Sequence, residues 1–95
     1  MLTLNPTHTV LRILLEVTRE GTTVRLEGQL RSPSLDELRR QTTDLLQEPG
    51  RLFLDLTDLR YADPEGIAAL LRLVDHGATI RGASIFVRQL LRREP

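Results

Sequence analysis

Three features of the sequence predict one small α/β domain with a mixed β-sheet of about four strands and about three helices. The apolar residues change period along the chain, from alternation to helical spacing and back. The order this produces is strand, strand, helix, strand, helix, strand, helix, in which a hairpin feeds two crossover units. At 95 residues and 40% hydrophobic content the chain can enclose a single modest core, and dividing it would leave two pieces too small to fold alone.

Residues 1–9 are polar, contain Pro6 and show no period, so they read as a flexible lead-in to a domain over 10–95. From Leu11 the apolar positions alternate through Ile13, Leu15 and Val17. After Arg19-Glu20-Gly21 they alternate again at Val24, Leu26 and Leu30, which predicts a hairpin with a short glycine-containing turn. Ser34 followed by Glu37 has the spacing of a capping box, and Leu35, Leu38, Leu45 and Leu46 share one helical face before Pro49-Gly50. Leu52-Phe53-Leu54 is apolar without alternation, as expected of a central strand covered on both faces, and Thr57 to Ala62 read as a loop. Asp63-Pro64-Glu65-Gly66 then combines an N-cap, a proline at the first helical position and an acid in the first turn. Ile67, Leu70, Leu71 and Val74 face the core of that helix, with His76-Gly77 at its end. A short strand around Ile80 and a last helix after the cap residue Ser84 complete the pattern. Phe86, Val87, Leu90 and Leu91 form that helix's apolar side, and Phe53 and Phe86 are both expected to be buried.

Composition narrows the chemistry. Thirteen basic residues, all arginine, balance thirteen acids, so net charge gives no reason to expect nucleic acid or an acidic membrane as partner, and three aromatic side chains provide no stacking platform for single strands. Without cysteine there are no disulfides, thiolate metal sites or thiol nucleophiles, which fits a cytoplasmic location. The start of the sequence lacks a basic segment followed by a long apolar run, and no stretch suits insertion into a bilayer. His8 and His76 are far apart and lack spaced ligands, so no metal site is expected, and no cofactor is implied. With no lysine to clamp a phosphoryl group, no glycine-rich cradle and no Gly-x-Ser-x-Gly elbow, the chain is not expected to be an enzyme. Asp55, Asp58, Asp63 and Glu65 do gather around the end of a strand and the start of a helix, where open α/β sheets tend to bind ligands. Capping accounts for much of Asp63, and the helix dipole for part of Glu65.

The run Arg51-Leu-Phe-Leu-Asp-Leu-Thr-Asp-Leu-Arg-Tyr-Ala-Asp-Pro-Glu-Gly-Ile-Ala-Ala-Leu-Leu resembles the signature of STAS domains, the module named for sulfate transporters and anti-sigma factor antagonists. Glu27-Gly-Gln-Leu, Gly82-Ala-Ser and Val87-Arg-Gln-Leu-Leu extend the likeness over most of the chain. The resemblance implies a non-catalytic protein-binding regulatory module whose partner is an anti-sigma factor or a serine-kinase-like regulator. Phosphorylation just before the helix-opening glycine releases such a partner in the family, and the residue at that position here is Glu65, which has no hydroxyl. The switch is therefore not expected to operate there. A second implied reading is similarity to the cytosolic STAS subunit that docks on the ATPase of lipid-trafficking ABC transporters.

The expected contact surface comprises Arg31 and Ser32 after the second strand, Asp58 and Arg60 in the following loop, Asp63, Glu65 and Gly66 at the helix start, and Ala69 and Arg72 on its outer face. Gly66 would admit a close backbone approach, the arginines would make charge-assisted contacts, and Glu65 would set the sign of the surface. Longer members carry a further strand and helix; relative to them an uncovered edge is expected here, and with it a homodimer.

Overall fold

The structure is a computed structural model that describes residues 11–47 and 50–92. The lead-in over 1–9, the helix stop at Pro49 and the end of the chain lie outside the described residues. Strand β1 (Leu11–Thr18) pairs antiparallel with β2 (Gly21–Leu30) from Leu11↔Gly28 to Thr18↔Gly21, so a two-residue turn closes the hairpin. A 3-10 turn at Ser32–Ser34 leads into helix α1 (Leu35–Gln47). Then come β3 (Arg51–Leu56), β4 (Leu59–Ala62), helix α2 (Pro64–Asp75), β5 (Thr79–Ala83) and helix α3 (Ile85–Arg92).

The sheet runs β1-β2-β3-β5, with β3 parallel to both β2 and β5, and β4 added as a second parallel neighbour of β2. The Leu59–Ala62 segment is thus a strand and not the loop its sequence suggested. The reason lies in β2, whose ten residues outrun the six of β3. β3 pairs with Gly21–Arg25, which would leave the backbone of Gly28–Leu30 without partners on that side, and β4 fills the remainder. The Gly28 N–H donates to the Asp58 carbonyl at 3.1 Å, and the Asp63 N–H donates to the Leu30 carbonyl at 3.0 Å, closing the two ends of this added pairing. At the other end of β2, Gly21 sits where a Cβ would fall 2.0 Å from the Arg51 carbonyl oxygen, so only glycine lets β3 start beside the hairpin turn.

All three helices share one core with a single face of the sheet. Val24, Leu26, Leu54, Leu56 and Leu59 from the strands meet Leu38 of α1, Leu70 of α2 and Val87 of α3, each 2% exposed or less. The opposite sheet face is polar: Arg12 pairs with Glu27 at 3.6 Å, and Arg25 pairs with both Glu27 at 3.4 Å and Asp58 at 3.2 Å. Phe53 points to that second face and is still 5% exposed, because the Arg81 guanidinium lies 4.0 Å above its ring and is held by Glu20 at 2.8 Å. The central strand is therefore covered on both faces, on one side by helices and on the other by an arginine.

Two local expectations are corrected. Phe86 is 49% exposed, since Val87 takes the inward position of α3 and Phe86 instead stacks on Tyr61, ring centroids 6.3 Å apart. Glu37 does not reach back to Ser34; its carboxylate accepts from Arg40 and Gln41 at 2.6 Å each, one turn further on. Thr42, a polar residue within the apolar face of α1, is buried because its hydroxyl donates to the Leu38 carbonyl at 2.8 Å.

Candidate functional site

Asp63 organises the tip where β2 and β4 end and α2 begins. Its extended backbone makes it the N-cap, and Oδ1 accepts from the Gly66 N–H at 2.7 Å. Oδ2 accepts from the Ser32 N–H at 2.9 Å and from the Ser32 hydroxyl at 3.3 Å, so one carboxylate ties the α2 entrance to the turn that follows β2. Partial desolvation works against its charge, yet the hydrogen bonds from Gly66 and Ser32, aided by the Arg31 charge, outweigh it and hold the carboxyl below the ordinary aspartate range. The Ser32 hydroxyl also makes a very close contact with Glu65 Oε1, placing it between two carboxylates with a single proton to share.

Six of the other expected contact residues fall in four places. Ser32, Glu65 and Arg72 line one polar cleft at the mouth between α1 and α2, together with Asp36 and Arg39 of α1. Arg31 turns away from that cleft: its Nε donates to Gln29 Oε1 at 2.8 Å and its guanidinium lies 5.0 Å above the Tyr61 ring, extending the Tyr61–Phe86 stack. Asp58 belongs to the polar sheet face, where its bond to Arg25 raises the pKa of that guanidinium. Arg60 is exposed on β4.

Two residues have different roles from those expected. Gly66 is buried, and a Cβ there would lie 2.8 Å from the Leu30 carbonyl oxygen and 3.0 Å from Leu30 Cγ. The close approach it permits is internal, between α2 and the end of β2, and leaves nothing for a partner to touch. Ala69 is half-buried and faces the apolar groove between α1 and α2, beside Leu38 and Leu73, not outward. Sequence reasoning missed Asp36 and Arg39, whose i,i+3 spacing and 3.5 Å ion pair mark them only as an ordinary wet helix face, and it missed Tyr61 because a residue read as loop has no assigned side.

The four acids do not converge. Asp63 and Glu65 meet at Ser32, whereas Asp55 and Asp58 lie near Arg25 on the other side of the sheet; the Thr57 hydroxyl and N–H, with Arg25 and Arg81, hold Asp55 below the usual carboxylate range. Among the described residues no three His, Cys, Asp or Glu side chains are placed to hold a metal ion, and no helix is long and apolar enough to cross a membrane.

A hairpin, two strand-to-helix crossovers onto one sheet face and a capped helix mouth at the sheet's polar tip define a small α/β domain of the class built around a helix-opening loop. The family model described as "Mlab, STAS domain" matches residues 13–93, and the chain belongs to the STAS domain family. Among solved structures it is similar to the anti-sigma factor antagonist SpoIIAA in its unphosphorylated form, with 24% identity, a TM-score of 0.69, and coverage of 85% of this chain and 78% of that one. It is also similar to an antisigma-factor antagonist STAS domain from Rhodobacter sphaeroides, with 20% identity, a TM-score of 0.62, and coverage of 82% and 90%. Both likenesses are of fold. No curated protein matches the chain.

Proposed function

We propose that the protein is a cytoplasmic regulatory module that binds another protein at this tip and turns over no substrate. Its partner is an anti-sigma factor or a serine-kinase-like regulator, and binding is not switched by phosphorylation at the family's usual position. The observation that carries this reading is the exposed Glu65 in contact with Ser32 at the mouth of α2, a residue that the family resemblance aligns with the acceptor serine. A glutamate supplies one permanent charge and two acceptor oxygens, against about −1.5 to −2 charges and three oxygens for a phosphoserine. It therefore fixes the sign of the surface without reproducing either state of a switch. Ser32 does not replace the missing acceptor, because a phosphate on its hydroxyl would be driven against the Asp63 and Glu65 carboxylates. The two anti-sigma factor antagonists of similar fold support the partner class.

The test is recovery of tagged protein from its own cells, with identification of bound proteins, for wild type, Glu65→Ser and Glu65→Ala. A specific regulator retained by wild type and altered in affinity by both substitutions is the expected result. Recovery of a transporter ATPase as the companion would replace this reading with the transporter-subunit one, and indistinguishable affinities of all three forms would remove Glu65 from it.

A further inference from the structure

The two edges of the sheet differ. β5 is five residues long, its register with β3 is broken between Leu54 and Leu56, and Arg81 on it is occupied by Glu20 and Phe53, so it is a poor template for another strand. β1 is eight residues long, keeps unbroken register with β2, contains no proline and has no strand on its outer side among the described residues. On its helix-side face Leu11 and Ile13 pack against the core, while Leu15 and Val17 continue the same stripe at 49% and 79% exposure. On the other face stand Arg12, Leu14 and Glu16, and Glu16 has no cation partner among the described residues.

We propose that β1 is the site at which a second copy of this chain docks, by antiparallel pairing about a two-fold axis at Leu14. The argument is one of self-complementarity. Centring on Leu14 sets Ile13 opposite Leu15 of the second copy and Leu11 opposite Val17, so each exposed apolar residue meets one already anchored to a core. It also sets Arg12 opposite Glu16, twice by symmetry, and Leu14 opposite itself. Odd-numbered residues face odd-numbered ones, so the backbone groups that β1 turns away from β2 meet in step. A shift of the axis to Ile13 or Leu15 sets Arg12 opposite Leu14 or Thr18 and loses both ion pairs, so the charges select the register. The outcome is one continuous sheet with the helices of both copies on the same side, an isologous contact that leaves the tip around Asp63 free.

The chain has no cysteine, which makes cross-linking decisive. Leu14→Cys places two thiols directly across the axis, at a separation a disulfide spans, and should give a covalent dimer under mild oxidation. Glu16→Cys, whose two copies lie about 13 Å apart along the strands in this register, should not. In analytical ultracentrifugation Glu16→Arg should raise the dimer dissociation constant roughly tenfold, and Arg12→Glu combined with Glu16→Arg should restore it in part. Two results would overturn the proposal: a monomer at high micromolar concentration with no Leu14→Cys cross-link, or a dimer that cross-links through Glu16→Cys in preference to Leu14→Cys.

Discussion

Replacing Asp63 separates the two ends of its carboxylate. Asp63→Ala removes the cap on Gly66, at about 1 kcal/mol, and the charge-assisted bond from the Ser32 N–H, at about 1 to 1.5 kcal/mol at this half-buried position. The sum is about 2 to 2.5 kcal/mol, which for a domain of this size lowers the thermal midpoint by about 10 to 20 °C. Asp63→Asn behaves differently, since asparagine caps a helix about as well as aspartate. Its oxygen can serve Gly66, but its amide then turns its own donors toward the Ser32 N–H, so only the Ser32 share, about 1 kcal/mol, is lost. Urea unfolding followed by circular dichroism at pH 7, with equal slopes for the three forms, measures both differences. An Asp63→Ala variant within 0.5 kcal/mol of wild type would refute the view that this carboxylate ties the tip together. An Asp63→Asn variant as damaged as the alanine form would refute the division into cap and tie.

Gly66→Ala should destabilise by about 1 to 2 kcal/mol, because the added carbon meets the Leu30 carbonyl, itself fixed by the Asp63 N–H; a raised urea midpoint would show that the space exists. Asp63 and Asp55 both have lowered pKa values, so each contributes stability that is fully present above the unfolded-state value of about 3.9 and is lost as pH falls from there through the folded-state value. Acid titration of the unfolding free energy should therefore fall below about pH 4, and less steeply in Asp63→Asn; equal slopes would contradict the assignment. Leu54→Ala, at a fully buried position in the central strand, should cost about 2 to 5 kcal/mol, whereas Val17→Thr should stay within about 0.5 kcal/mol in dilute solution.

The order of elements could be read from the sequence because each element there carries its own period, and the α2 entrance because Asp63, Pro64 and Glu65 obey capping rules that depend only on neighbours. Leu59–Ala62 could not be read as a strand. It pairs because β2 is long, and the length of a neighbour distant in sequence leaves no local mark. Phe86 was misplaced for a similar reason: Val87 and Phe86 are adjacent apolar residues, and which of them turns inward is decided by how α3 lies against the rest of the core. At the tip, the acids and arginines were visible as types but their pairing was not. Arg25 claims Asp58, Tyr61 takes Arg31, and Ser32 joins Asp63 to Glu65, each through contacts that cross from one element to another.

The division of β2 between two successive neighbours has a mechanical consequence. A load applied at Ser32, Asp63 or Glu65 falls first on the short ladder between Gly28–Leu30 and β4, while the Gly21–Arg25 ladder with β3 stays closed behind it. Parting that one seam at the tip would leave the longer ladder, and the hydrophobic interior beneath it, in place.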